Sequence, residues 1–164
     1  MKFLNSKIFI KILIVSIIFT LDRISKTYVI DLFNNTQFNE IYLLDFINIH
    51  FIWNEGIAFG LLSFNDDAIY KTITLIIIII SIIIFFFSLN SKNHIGYFFA
   101  IILGGALGNL YDRIKFSAVP DFIDLHIGNY HWFIFNVADI FITLGIFCLI
   151  FDELFLNKKN NEKN

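Results

Sequence analysis

Four long apolar stretches constrain the fold of this 164-residue chain more than any other feature of its sequence. They cover residues 8–28, 70–89, 96–112 and 132–152, and each approaches or reaches the ~20 residues that a helix needs to cross a bilayer. Hydrophobic residues make up 57% of the chain and charged residues 16%, whereas about 25% of an ordinary soluble domain is charged. Such a composition leaves too little polar surface for a soluble protein of this size. We therefore predict a single-domain, all-α membrane protein with four transmembrane helices.

Two of these stretches have a second interpretation. The stretch 70–89 contains the run Ile76–Ile80, which is typical of a buried strand, but strands are usually about 4–8 residues long and this stretch is far longer. A lone strand in lipid would also leave its backbone groups without hydrogen bonds. The first stretch has Lys2, Lys7 and Lys11 at its N-terminal end, as a cleaved signal peptide would, yet no small-residue cleavage site follows it. Both are predicted to be retained helices.

Charge, cysteine and histidine content exclude several function classes. A net charge of -2 argues against a nucleic-acid partner, which requires a basic surface. The single cysteine cannot form a disulfide within the chain. The sequence has no Gly-x-Ser-x-Gly motif of a serine hydrolase and no His-Glu-x-x-His motif of a zinc protease. The histidines are scattered along the chain and predict no metal site: His50, His94, His126 and His131. No cofactor is expected.

Loop charges orient the predicted helices. Lysines precede the first helix, lie in the link between the second and third, and follow the fourth, whereas segment 31–67 holds six acidic residues and no Lys or Arg. Cytoplasmic loops are enriched in Lys and Arg. We therefore expect both termini in the cytoplasm, and segments 31–67 and 112–131 outside it.

Segment 31–67 is too long for a simple turn. Within it, 41–44 and 46–53 are rich in β-branched and aromatic residues, with alternating faces in the second run. This pattern predicts short strands that form a small extracytoplasmic β-cradle. The Asn- and Lys-rich tail 157–164 is expected to be disordered.

Ionisable residues inside membrane helices are costly, so each is a functional candidate. Asp22 and Lys26 are four residues apart and share one helix face, either as a structural ion pair or as support for a site. Gly104 and Gly108 form a small-xxx-small pair, which favours close packing of another helix. Near them, Asn109 shares a face with Gly105 and Asp112, and the adjacent Arg113 could hold a loop carbonyl or a carboxylate.

Two acidic residues indicate one chemistry in particular. Asn136, Asp139 and Thr143 form a stripe on a helix expected to begin near Trp132, and Asp121 precedes that helix at the outer boundary. Two carboxyl groups brought close together share one proton, so that one acts as base and the other as acid. Such a pair can activate water for attack on an amide and protonate the leaving nitrogen.

Five blocks along the chain resemble the lipoprotein signal peptidases, the type II bacterial signal peptidases. Their order, spacing and four-helix layout match the family over nearly the whole chain. The blocks are LDRISK at 21–26, NEGIAFG at 54–60, GGALGNLYDR at 104–113, VPDFID at 119–124 and FNVAD at 135–139.

The resemblance implies a membrane aspartic endopeptidase that removes signal peptides from prolipoproteins, cutting before a cysteine that carries diacylglyceryl. It implies that Asp121 and Asp139 are the catalytic pair and that Asp22 and Lys26 support the site. Further positions match residues that line the site or hold substrate: Asn54, Gly56, Asn109, Arg113 and Asn136. Pro120 departs from the family, where valine is expected.

The resemblance also implies a location and partners. The enzyme would be a multi-pass protein of the bacterial cytoplasmic membrane, with its active site facing outward. Its partners would be the lipidated prolipoprotein and membrane lipids, and the expected state is a monomer.

Other interpretations remain open from the residues alone. A small proton-coupled transporter subunit would use Asp22, Lys26 and Asp139 as a relay, and a purely structural helical assembly protein would use none of them. Asp112 and Asp124 are reserve catalytic candidates, whose structural role would be an ion pair with Arg113 or Lys115.

Overall fold

The computed structural model describes residues 2–36, 40–56, 67–91, 93–128 and 130–157. Its elements, in chain order, are α1 (Lys2–Asn35), β1 (Ile41–Leu44), β2 (Ile47–Asn54), α2 (Asp67–Asn90), α3 (Ile95–Phe116), β3 (Val119–Ile127), β4 (Tyr130–Phe135) and α4 (Val137–Phe151), which continues as a π-helical turn, Asp152–Asn157. Four helices and one small sheet thus account for the described chain.

The four helices form a bundle in which α3 packs against α1, α2 and α4. Glycines allow the closest approaches: a Cβ added to Gly105 would lie 2.5 Å from the carbonyl oxygen of Ala138 on α4, and one added to Gly108 would lie 2.5 Å from Asp22 Oδ2 on α1. A Cβ on Gly104 would collide with Ile18 of α1. The predicted role of Gly104 and Gly108 in helix packing is confirmed.

The outer surface of the bundle is apolar. Large apolar side chains of α2 are exposed along the helix, among them Ile76, Ile79, Ile83 and Phe86. Two helices, Ala68–Asn90 and Ile95–Phe116, are long and apolar enough to cross a membrane. An exposed apolar surface of this extent is typical of a lipid-facing bundle and not of a soluble protein.

The sheet is larger than the predicted cradle. Its four strands are antiparallel in the order β1-β2-β3-β4, so half of it comes from residues 119–135, outside the predicted segment 31–67. Residues 31–35 instead extend α1, and Asp67 begins α2. Because α1 and α3 contact these strands and α4 begins directly after β4, the whole sheet lies at one end of the bundle. At the opposite end, the buried Lys11 ammonium donates to the carbonyl oxygens of Ser88, in the last turn of α2, and Ser91, just after it.

The predicted start of the fourth helix near Trp132 is wrong. Residues 130–135 are strand β4, paired with β3 from Ile123–Phe135 to Ile127–Tyr130, and α4 begins only at Val137. Short apolar runs are compatible with either a strand or a helix, and here the neighbouring strand decides between them. Asp139 is therefore in the first turn of α4 and not seven residues inside it.

The other boundaries shift by smaller amounts. The first helix is longer than the predicted 8–28, and α3 continues four residues beyond 112. Asn157 ends the π-helical turn, whereas the rest of the predicted disordered tail, 158–164, lies outside the described residues.

Candidate functional site

The two predicted catalytic acids come together where the sheet meets the bundle. Asp121 is on β3 and Asp139 is on α4, and both line a cleft of ≈ 370 Å³ between the sheet and the helices. The polar lining of that cleft includes Asn54, Asn109, Arg113 and Asn136, and its apolar lining includes Ile77, Ala106, Ile142 and Ile146. One cleft therefore combines two carboxyl groups with amides and an apolar wall.

Asn136 links the two acids. Its side-chain Nδ2 donates to Asp121 Oδ1 at 2.6 Å, and its backbone N–H donates to Asp139 Oδ2 at 3.1 Å. Asn136 is also the N-cap of α4, because its Oδ1 accepts the backbone N–H of Asp139 at 3.2 Å. The reciprocal hydrogen bonds are a capping box, which sets both side chains at the first turn of the helix. Local helix-capping chemistry thus positions the two carboxyl groups relative to each other.

Asp121 is held from its other side by Asn54. The Nδ2 of Asn54 donates to Asp121 Oδ2 at 2.7 Å, while its Oδ1 accepts the backbone N–H of Gly56 at 2.9 Å. The guanidinium of Arg113 donates to the carbonyl oxygen of Gly56. The three predicted residues Asn54, Gly56 and Arg113 therefore form one hydrogen-bonded support at the edge of the cleft.

Burial perturbs the titration of Asp121. Its side chain is 1% exposed. Burial, followed by the repulsion of the Asp139 carboxyl group, raises the pKa of Asp121 from 3.8 to about 6. The amide donors Asn54 and Asn136 oppose this shift because they stabilise the ionised carboxylate. Asp121 is therefore a carboxyl group that can hold a proton well above the ordinary range of an aspartate.

This shift predicts a pH dependence of stability. The folded-state pKa of Asp121 is raised, so the folded state binds the proton more tightly than the unfolded chain, and its contribution to stability is lost as the pH rises from about 4 to about 6. We expect the loss to be about 2–3 kcal/mol. Asp121→Asn should not show it, so the thermal unfolding temperature of the wild type should fall relative to that variant over this interval and run parallel above pH 7.

The comparison isolates the titration of Asp121. Asparagine has one accepting oxygen fewer than aspartate, and the loss of that acceptor changes stability by the same amount at every pH. Melting curves in detergent at half-unit pH steps measure it. A constant difference between the two proteins from pH 4 to 7 would contradict the assignment.

Asp139 is connected to a buried charge cluster, defined here as Asp22, Arg23, Lys26 and Asp112. Asn109 Nδ2 donates to Asp139 Oδ1 at 2.8 Å, and Asn109 Oδ1 accepts from Lys26 Nζ at 2.7 Å. Lys26 is 1% exposed. The chain Lys26–Asn109–Asp139 therefore fixes the orientation of the Asn109 amide and, through it, one oxygen of Asp139.

Within the cluster, two cations balance two carboxylates. Lys26 Nζ lies 2.8 Å from Asp112 Oδ2 and 3.1 Å from Asp22 Oδ1, and Arg23 bridges the same two acids. Asp22 Oδ1 also accepts the backbone N–H of Ala138 at 3.0 Å. The cluster thereby joins α1, α3 and the first turn of α4 behind the cleft.

The reserve candidates have other partners than those predicted. Asp112 pairs with Arg23 and Lys26 and not with Arg113 or Lys115, because the α1–α3 packing presents the basic face of α1 to it. Asp124 accepts a hydrogen bond from His131 Nδ1 at 2.6 Å across β3 and β4. Neither acid lines the cleft, so neither lies with Asp121 and Asp139.

Arg23 is the one member of the charge cluster that sequence reasoning did not single out. It lies inside the LDRISK block. Its i+1 spacing from Asp22 gives no shared helix face, and only the partner on α3, 89 residues later, reveals its role.

Comparisons with known proteins show which proteins this chain is similar to. The family described as signal peptidase (SPase) II matches residues 14–155. The chain is 52% identical over 157 residues to a lipoprotein signal peptidase of Pelagibacter ubique, covering 95% of both proteins, and 38% identical to one of Anaplasma phagocytophilum, covering 90% of this chain and 94% of the relative. A solved bacterial membrane enzyme superposes with a TM-score of 0.75 at 30% identity, covering 92% of this chain and 90% of that one.

Proposed function

Because the chain belongs to the signal peptidase II family, we propose that Asp121 and Asp139 are the catalytic pair with which it removes signal peptides from prolipoproteins. The enzyme is an aspartic endopeptidase, and the transporter alternative is not supported. One observation carries the assignment of residues. Asn136 hydrogen-bonds both carboxyl groups, and both line the same partly apolar cleft.

In the proposed mechanism the two carboxyl groups share one proton. The ionised member accepts a proton from the hydrolytic water, whose oxygen attacks the scissile carbonyl carbon. The protonated member polarises the carbonyl oxygen, and a proton then passes to the leaving nitrogen as the carbon–nitrogen bond breaks. The raised pKa of Asp121 supports this sharing, since a carboxyl group with a pKa of about 6 exchanges its proton near neutral pH.

The supporting residues have distinct proposed roles. Asn54 and Asn136 orient Asp121, whereas Asn109 orients Asp139. Lys26 is a positioning residue that acts through Asn109. Arg113 holds the backbone carbonyl of Gly56 at the edge of the cleft, where we propose that the extended peptide binds.

The chemistry of the cleft supports a lipidated substrate. Its apolar wall of Ile77, Ile142 and Ile146 lies on helices that carry the exposed apolar surface. A diacylglyceryl cysteine would thus place its acyl chains against the helix bundle. The peptide bond before that cysteine would then lie next to Asp121 and Asp139. We propose that the enzyme cuts before such a cysteine.

We further propose that all four helices cross the bacterial cytoplasmic membrane, with both termini in the cytoplasm and the sheet outside. At about 1.5 Å per residue, α3 is long enough to span the hydrocarbon core, and α4 reaches a similar length with its π-helical turn. Lys7 and Lys11 lie near the start of α1, at the end of the bundle opposite the sheet, and a basic end of this kind is typical of the cytoplasmic side.

A cleavage assay tests the proposed substrate. Purified enzyme in detergent is given one prolipoprotein with and without diacylglyceryl on its cysteine, and the products are separated by mass. We expect cleavage of the lipidated form before the cysteine and a rate lower by at least about 100-fold for the other, because the lost acyl contacts remove several kcal/mol of binding. Equal cleavage of the two forms would contradict lipid recognition.

A further inference from the structure

A second cluster of ligand-type side chains lies on the sheet, away from the cleft. Glu40, His50 and Asp124 each offer one nitrogen or oxygen atom, and these atoms lie within 4.8 Å of one another. The strand register brings these three residues together. Asn48 pairs with Asp124, and Ile41 pairs with Ile49, so Glu40 lies opposite His50. Side chains two residues apart on a strand share a face, so His50 joins Asp124 on the face of Asn48.

This face is opposite to the catalytic one. Asp124 is three residues after Asp121 on the same strand, and successive side chains of a strand alternate between faces. The cleft is lined by Asp121 and by none of the three clustered residues. The cluster is therefore separate from the site of peptide cleavage.

One carboxylate oxygen of Asp124 lacks a hydrogen-bond partner within the described part of the chain. The Asp124 side chain is completely buried, and only its Oδ2 is hydrogen-bonded, by His131 Nδ1 at 2.6 Å. Among the residues that the structure describes, Asp124 Oδ1 has no hydrogen-bond partner. A buried carboxylate oxygen left unpaired is costly, more so than a neutral group. A cation bound at Oδ1 would remove that cost.

The neighbouring carboxylate is already oriented. Asn48 Nδ2 donates to Glu40 Oε1 at 2.7 Å, and the Asn48 side chain is itself buried. His131 orients Asp124 in the same way. Partners that hydrogen-bond the ligands of a metal are a general feature of metal sites, because they hold each ligand in its binding orientation.

We propose that Glu40, His50 and Asp124 bind a divalent transition metal ion of the zinc type. One imidazole nitrogen and two carboxylates are a ligand set that Zn²⁺ accepts, whereas Ca²⁺ and Mg²⁺ prefer oxygen alone. Ligand atoms at most 4.8 Å apart need to move by less than about 1 Å to reach the ~2.1 Å of zinc coordination. The fourth position is free for water.

The ion would connect three parts of the sheet. Glu40 precedes the edge strand β1, His50 is on β2 and Asp124 is on β3. Binding would therefore stabilise the attachment of β1 to the centre of the sheet. It takes no part in the peptidase chemistry, and the test of this site does not depend on the proposed function.

The experiment uses the full-length protein, purified in detergent without a histidine tag and stripped with a chelator. Titration calorimetry with ZnCl₂ should show one equivalent bound with micromolar or tighter affinity, and saturation should raise the thermal unfolding temperature. His50→Ala and Glu40→Gln should each weaken binding by at least about 100-fold, because losing a ligand costs at least as much as losing a residue that hydrogen-bonds a ligand, which typically costs about 10–100-fold. MgCl₂ and CaCl₂ should not compete at equal concentration.

The matched control is His94→Ala, which removes an imidazole paired with Asp152 outside the cluster and should leave zinc affinity unchanged. Asp124→Asn is not used as the sole test, because a protein with a substitution at this buried position can fail to fold. Wild-type protein without saturable zinc binding would overturn the proposal, as would unchanged affinity in both His50→Ala and Glu40→Gln.

Discussion

Asp121→Asn and Asp139→Asn are each expected to lower the rate of prolipoprotein cleavage by at least about 10³-fold, because acid–base catalysis needs both carboxyl groups. The amide of asparagine can neither accept the proton of the water nor return one to the leaving nitrogen. The near-identical shape should preserve the fold, so the variants should elute and melt as folded proteins. Initial rates on lipidated substrate, followed to low turnover, measure the effect.

The matched control for this pair is Asp45→Asn. Asp45 is exposed in the turn between β1 and β2, so the same chemical change occurs on the same sheet but outside the cleft. We expect its rate to stay within about twofold of the wild type, as is usual for surface substitutions. If either active-site variant retained near-normal cleavage, the assignment of that carboxyl group would be wrong.

Lys26→Met is expected to cause the second large effect, a loss of about 3–5 kcal/mol of folding stability. Methionine has a similar length and no charge, so the substitution leaves Asp22 and Asp112 with only the cation of Arg23. Removing one partner of a buried ion pair leaves an uncompensated charge in a low dielectric. Thermal unfolding in detergent and the yield of folded protein measure the effect.

Two further variants separate charge balance from simple packing. Lys115→Met removes an exposed lysine from the end of α3 and should change stability by less than about 0.5 kcal/mol. The double variant Lys26→Met with Asp112→Asn restores one cation to one carboxylate and should be more stable than Lys26→Met alone. A double variant less stable than the single one would show that packing, and not charge, dominates the cluster.

The helices could be predicted in large part from the sequence. The long, mainly apolar stretch 70–89 lies within α2, Asp67–Asn90, because an apolar segment of that length in lipid satisfies its backbone hydrogen bonds as a helix. The predicted helix start near Trp132 was wrong because a run of six aromatic and β-branched residues can form either a strand or a helix. Pairing with β3, a non-local interaction, decided it.

The residues of the candidate site could likewise be predicted from the sequence, whereas the contacts between them could not. The identity of Asp121 and Asp139 came from the VPDFID and FNVAD blocks. The hydrogen bonds through which Asn136 connects the two acids could not be inferred from the sequence. They require that Asn136 is the N-cap of α4 and that its side chain also reaches Asp121 on β3. The charge cluster depends likewise on glycines of α3 that bring α1 close enough for Asp112 to meet Arg23 and Lys26.

The sequence by itself determined that this chain forms apolar helices, which residues carry its few charges, and which two acids are proposed to perform the chemistry. These properties follow from local composition and from ordered motifs, which need no knowledge of contacts between distant segments. Only the tertiary structure decided which polar groups meet: Asp139 with Asn109 and Lys26, and Glu40 with His50 and Asp124. The physical reason is that strand register and helix packing set those distances, and both arise from contacts between residues far apart in the chain.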